Sequence, residues 1–295
     1  MPLRKTYRLV RKFIRGCMED DVPSLAAATA FYAGLAFAPL VLLVLSAGRF
    51  LGPETQAELV MYFQAQFGPG AADVVESVVE SAKADAERGA NWQWFVSIGV
   101  LLWSGSGVFR QMQRSMNRIW NVEMRPGLGG WRFVKTWLRK RALTMVMVFS
   151  IFGLLLTAMI VSAVLHLFVP FEGATASFIA AQATTFVVAT LLFGAIFKLL
   201  PDAKIAWRDV WLGAGAAAVM VNIGKIVLGS YLTRGGVTQH YTNAAGAMIA
   251  LLFWVFYSCF VLYLGAELAQ MVAKAKGRPV QPREYAREVR YVAES

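Results

Sequence analysis

Charge is scarce in this chain. Only 16% of its 295 residues are Asp, Glu, Lys or Arg, against about 25% in an ordinary soluble domain. Hydrophobic residues make up 57%, which excludes a soluble fold because water would meet too much apolar surface. Cysteine and histidine are nearly absent too. Cys17 and Cys259 form neither a metal-ligand spacing nor a disulfide framework, and His166 and His240 lack the Cys or carboxylate partners of a metal site. No metal and no cofactor is therefore expected. Phosphate-loop and zinc-protease motifs are missing, and Ser104-Gly105-Ser106-Gly107 lacks the strand-to-helix setting of a nucleophile elbow. A ribonuclease would need clustered carboxylates or a His and Lys constellation, whereas Glu123, Asp202 and Asp209 are scattered along the chain. An enzyme is not expected.

Long apolar runs are what the chain does have. A helix needs about 20 residues to cross hydrocarbon, and suitable runs occur near 24–48, 92–110, 142–169, 178–200, 208–231 and 245–271. The predicted class is all-α, a polytopic membrane protein of six transmembrane helices with short amphipathic external and interfacial helices. Ser104 to Gly107 thin the second run, leaving a re-entrant segment as the alternative to a span there. The basic N-terminus is followed by Glu19, Asp20 and Asp21 and then apolar sequence without an A-x-A pattern, so an uncleaved first span is expected.

Charge placement tests this count independently. The six-span arrangement puts 24 of the 29 Lys and Arg on one side: Arg4 to Arg15, Arg110 to Arg141, Lys198 to Arg208, and Lys274 to Arg290. Basic residues are retained beside the cytoplasmic leaflet, so both termini are expected in the cytoplasm and the protein in the bacterial inner membrane. The organisation follows: a basic cytoplasmic segment at 1–23, a membrane domain at 24–271 and a cytoplasmic tail at 272–295. Within the membrane domain, 51–90 is an external amphipathic insertion, and 111–141 is a basic connection with Trp120, Trp131 and Trp137. That connection suits the anionic headgroups of membrane lipids. Without a recognisable nucleic-acid-binding module, no nucleic-acid partner is expected.

Four separated segments carry a family resemblance: SLAAATAFYAGLAFAP at Ser24 to Pro39, VFRQMQRSMNRIWNV at Val108 to Val122, LLPDAKIAWRDVWLGA at Leu199 to Ala214, and the last run from Tyr241 to LGAELAQ at Leu264 to Gln270. Their order and spacing resemble the YihY/BrkB family of bacterial inner-membrane proteins, once labelled ribonuclease BN. The resemblance implies a six-helix membrane domain with a transport-like or envelope-related role, including lipid export.

Polar residues inside the spans are the candidate site, since burying them in hydrocarbon is costly. Asn222 and Lys225 share a helical face, with Lys225 about 25 Å along its helix from Arg208. With Tyr257 and Ser258 they mark a candidate polar path. Either they line a cavity for an amphipathic or small anionic substrate, or neighbouring helices satisfy them. Glu267 lies near the cytoplasmic end of its span, too far along the bilayer to pair with Lys225. Arg110, Arg114, Lys198 and Arg208 are its expected partners, forming either a structural lock or a moving gate. Pro39 removes a backbone donor and is a candidate helix kink. Gly213 and Ala217 give small-xxx-small spacing for close helix contact. The reading is a membrane transporter or lipid-handling protein without intrinsic ATP hydrolysis, the alternative being a structural or scaffold protein. A homo-oligomer is the default assembly expectation.

Overall fold

The computed structural model describes residues 2–48, 92–125, 174–233, 244–278 and 280–289. The expected third span at 142–169, the external insertion at 51–90 and the basic connection from 126 to 141 lie outside the described residues. Six helices dominate what is described: α1 (Pro2–Glu19), α2 (Val22–Gly48), α3 (Trp92–Ile119), α4 (Ala174–Leu199), α5 (Trp207–Thr233) and α6 (Ala244–Ala275). Five of the six apolar runs lie within these helices. By length and composition, the segment Leu252–Ala275 of α6 can cross a membrane, and shorter apolar segments lie at Val22–Ala36 and Phe186–Leu199.

Four short strands add to the expected all-α architecture: β1 (Val122–Met124), β2 (Ala203–Lys204), β3 (Gln281–Pro282) and β4 (Ala286–Glu288). Strand β1 pairs antiparallel with β4, setting Glu123 opposite Arg287, while β2 pairs with β3, setting Lys204 opposite Gln281. Residues 281–288 are therefore not a featureless tail but the partners of two segments far away in sequence. Chain reversals make this pairing reachable. Asn121, after α3, has φ 53°, a left-handed conformation that asparagine tolerates. At the end of α6, Gly277 has φ 67°; its N–H bonds to the Lys274 carbonyl, and the N–H of Arg278 reaches back to Ala273. That pair of bonds is a Schellman cap, which stops the helix and turns the chain toward β3.

The chain gathers into two compact units. One comprises Met1–Val22, Gln113–Asn222 and Val261–Ser295; the other comprises Pro23–Met112 and Ile223–Phe260. In the first, buried Met116, Ile119, Trp120, Phe197, Val210, Val261 and Tyr263 form the core. There α5 and α6 approach at backbone distance. A Cβ at Gly213 would collide with the Gly265 carbonyl oxygen, and one at Gly265 would come within 2.8 Å of the Ala217 Cβ. In the second unit a Cβ at Gly224 of α5 would overlap the ring of Tyr257 of α6, so the absent side chain is the space the ring occupies.

Candidate functional site

Buried carboxylates organise the first unit, each held differently. Asp209, in the first turn of α5, is 2% exposed. Both its oxygens accept from Nη1 of Arg278, at 2.7 and 2.9 Å, and Lys276 stands 3.7 Å away. An acid in the first turn also meets the positive end of the helix. Asp202, at the α4–α5 turn, accepts from Asn117 Nδ2 at 2.9 Å, Gln113 Nε2 at 3.3 Å and the Tyr285 hydroxyl at 3.1 Å. Its own N–H donates to Asn117 Oδ1 at 2.8 Å, and its carbonyl accepts from the Arg283 N–H at 3.0 Å. One residue thereby ties α3, the α4–α5 turn and the β3–β4 region together.

Glu267 of α6 is 5% exposed. Its Oε1 fills the space a Cβ would take at Gly16 of α1, and its carboxyl lies within hydrogen-bonding range of Asp20. Three residues on, Nε2 of Gln270 donates to the Ile119 carbonyl at the end of α3. One face of α6 thus meets both α1 and α3, as i, i+3 spacing allows. Burial pushes the Asp20 carboxyl up to about 6, against the opposing effects of its hydrogen bond with Glu267 and then of the charges of Arg118 and Lys274. Burial, followed by the charges of Glu267 and Asp20, pushes the neighbouring Cys17 thiol up to about 12.

The cations expected beside Glu267 are placed as follows. Arg114 and Arg208 are exposed. Lys198 Nζ donates to the Ile205 carbonyl. Arg110 Nε donates to the Ser106 carbonyl at 3.2 Å. Among the described residues no ion pair joins Glu267 to Arg114, Lys198 or Arg208. Charge complementarity points to cations, so the sequence marks neither Asp20 nor Gly16 as a partner of Glu267. A signal for α1 was present: Tyr7, Val10, Ile14 and Met18 recur at i+3 and i+4.

Along the candidate polar path, Asn222 Nδ2 donates to the Ala218 carbonyl at 2.8 Å, while its Oδ1 is buried with no partner among the described residues. Ser258 Oγ donates to the Trp254 carbonyl at 2.9 Å, so its one donor is used within its own helix while its oxygen can still accept. Tyr257 packs against Gly224 and stacks on Trp254, with ring centroids 6.0 Å apart. Lys225 lies on α5 three residues beyond Asn222; its side chain is outside the described residues. Pro39 lies inside α2, with its side chain likewise outside.

Comparison with known proteins then supplies the context. The family model described as virulence factor BrkB matches residues 13–288. A Bacillus subtilis protein named ribonuclease-like protein YfkH is 25% identical over 264 residues, covering 87% of this chain and 92% of that relative. A UPF0761 membrane protein of Stenotrophomonas maltophilia is 26% identical over 273 residues, and the match spans only 61% of its length. One from Mannheimia succiniciproducens is 25% identical, with 86% of this chain and 85% of the relative covered. No solved structure matches the chain. Of these three relatives, the first carries ribonuclease-like wording in its name and the other two are named as membrane proteins. With the match running through nearly every described element, the chain belongs to the BrkB family of membrane proteins.

Proposed function

We propose that this protein is a six-span, non-ATP-hydrolysing transporter or lipid-handling protein of the bacterial inner membrane, with both termini in the cytoplasm. The observation that carries the proposal is the amide of Asn222. Its Oδ1 is buried on an apolar helix and has no partner among the described residues, and Lys225 follows one turn later. A polar group so placed costs free energy unless water, a neighbouring helix or a polar ligand meets it. Membership of a membrane-protein family and a helix able to cross a bilayer agree with this reading.

The orientation rests on the distribution of Lys and Arg, with two supporting features. Trp207 and Trp211, stacked at 5.8 Å and partly exposed at the start of α5, suit the headgroup layer. On α1, Tyr7, Val10, Ile14 and Met18 are all more than half exposed and form one strip beside Arg8, Arg11 and Arg15. Such a helix fits the surface of an anionic leaflet, with its apolar strip among acyl chains and its cations at phosphates. The contact of Glu267 with α1 would then couple this surface helix to a span, as a cytoplasmic lock.

The test is reconstitution. Proteoliposomes are assayed for leaflet transfer of labelled phospholipids and for uptake of small anions, comparing wild type with Asn222→Ala and Lys225→Ala. Transfer or uptake that falls severalfold in either variant supports the reading. Its absence in wild type under several gradients removes it.

A further inference from the structure

A second polar feature lies apart from Asn222. A hollow of about 330 Å³ is lined by Lys198, Ala203, Lys204, Arg283, Glu284 and Tyr285. Three of the six side chains are cations, and separate elements deliver them. Lys198 comes from the last turn of α4, where its ammonium donates to the Ile205 carbonyl and keeps two further N–H groups for another acceptor. The β2–β3 register sets Ala203 opposite Pro282 and Lys204 opposite Gln281. Lys204 and Arg283 therefore emerge on the same face as diagonal neighbours, about 7 to 8 Å apart at the backbone. The Arg283 N–H to Asp202 carbonyl bond continues that ladder and fixes the register.

Tyr285 closes the wall. Its hydroxyl donates to Asp202 Oδ1 and also bonds to the Arg283 side chain, which holds the guanidinium against the hollow. Burial and the nearby Asp202 raise the phenol above its usual value of 10.0, so it remains a neutral donor at physiological pH. The one acid in the lining, Glu284, is exposed.

A neighbouring hollow of about 250 Å³ shares Lys204 and is lined also by Trp120, Gln281, Asp209 and Arg278, the last two paired with each other. Trp120 is 1% exposed, and its Nε1 has no partner among the described residues. The first hollow is therefore rich in cationic donors, and Trp120 adds a neutral one in the second. The chemistry of the first hollow asks for a ligand made of acceptors that carries negative charge.

We propose that the hollow lined by Lys198, Lys204, Arg283 and Tyr285 binds a phosphate group. An arginine fork and two ammonium groups match the several oxygens of a phosphate better than a lone carboxylate. The volume falls in the range of small-molecule sites and exceeds what a bare phosphate fills, leaving room for the rest of a phospholipid headgroup. The same chemistry would accept a soluble phosphate ester. This inference deepens the lipid-handling reading and rests on it only for the lipid as the source of the phosphate.

The experiment is equilibrium calorimetry on the full chain in an uncharged detergent, with three probes: dihexanoyl-phosphatidylglycerol, inorganic phosphate and dihexanoyl-phosphatidylcholine. Variants are Lys204→Gln, Arg283→Gln and the pair together. Arg287→Gln is the control, since Arg287 of β4 bonds Glu123 of β1 and is not in the lining. Phosphatidylglycerol is expected to bind in wild type, to weaken about tenfold or more in the double variant, and to change little in the control. Preference for phosphatidylglycerol over inorganic phosphate assigns a lipid source. Equal affinity assigns a soluble phosphate and leaves the site standing.

Binding of neither anionic probe, or equal binding by wild type and the double variant, overturns the proposal. Should Arg283→Gln fail to fold, the exposed Lys204 carries the test alone. No gradient is involved, so a failed transfer assay with intact binding removes transport and keeps the site. Intact transfer with failed binding removes only the site.

Discussion

The two compact units are held by different means. In the first, carboxylates receive directed bonds from across the sequence: Asp202 from Asn117, Gln113 and Tyr285, and Asp209 from Arg278. In the second, the described contacts are matters of volume, with the Tyr257 ring in the gap at Gly224 and Leu252 against Gly34. Close packing of small residues is the kind of contact that can hold helices together without a hydrophobic gain. Directed hydrogen bonds instead specify which partners meet. The first unit is accordingly sensitive to a lost charge and the second to an added methyl group.

The largest effect is expected where the volume rule appears inside the charge-held unit. Gly213→Val would drive a side chain into the Gly265 carbonyl, which as helix backbone cannot turn aside. We expect a loss of about 3 kcal/mol, read as a collapse of the monodisperse peak and of the unfolding midpoint in detergent. Gly224→Val meets a tyrosine ring, which can rotate, and should cost about 1 kcal/mol. Equal midpoints for the two variants would break the distinction between a rigid wall and a movable one.

Next comes charge. Asp209→Asn keeps the shape but removes the ionised acceptor of Arg278 and the acid in the first turn of α5. A cost of about 2 kcal/mol is expected, the partial exposure of Arg278 moderating it. On the β1–β4 face, Glu123 and Arg287 sit 3.1 Å apart, each about half exposed at 48% and 50%. Glu123→Gln should therefore cost no more than about 0.5 kcal/mol. Thermal unfolding at low and high salt separates the two: the exposed pair should lose its contribution in high salt while the buried one keeps it. A larger penalty at Glu123 than at Asp209 would invert the proposed order.

This contrast also explains what was legible in the sequence. Apolar runs are a local signal, and five of them fall within described helices because length and hydropathy alone specify such segments. The close approach at Gly213 and Ala217 was readable for the same reason, small residues at i and i+4 being visible without knowing the partner. The partner, Gly265, was not. Contacts of the first unit join residues such as Asn117 and Asp202, 85 positions apart, or Glu123 and Arg287, 164 apart. Nothing in the local pattern marks them, and two-residue strands are too short for a period of 2 to register. At Glu267 the obstacle is chemical: charge complementarity points to cations on other helices, whereas what meets it from α1 and the turn after it is a glycine gap and another acid.

That acid carries the subtlest prediction. Asp20 follows α1, with Glu19 adjoining, Glu267 and Lys274 facing it from α6, and Arg118 from α3. Burial raises its carboxyl from an ordinary 3.8 to about 6 in the folded protein. An acid whose folded value lies above its unfolded one stabilises the fold while both states hold the proton, and that contribution is lost as pH climbs through the folded value. Stability from this group should thus be full below about pH 4 and gone above about pH 6. Asp20→Asn carries no titrating proton, so wild type and variant should unfold alike near pH 4 and diverge as pH rises. By pH 7 the variant should be the more stable by a few °C, since Asp20 is only 7% exposed and little water screens its charge. Parallel midpoint curves for the two proteins from pH 4 to 7 would show that the Asp20 carboxyl is not strained by burial, and the packing of α1 on α6 through Gly16 would then stand on volume alone, as in the second unit.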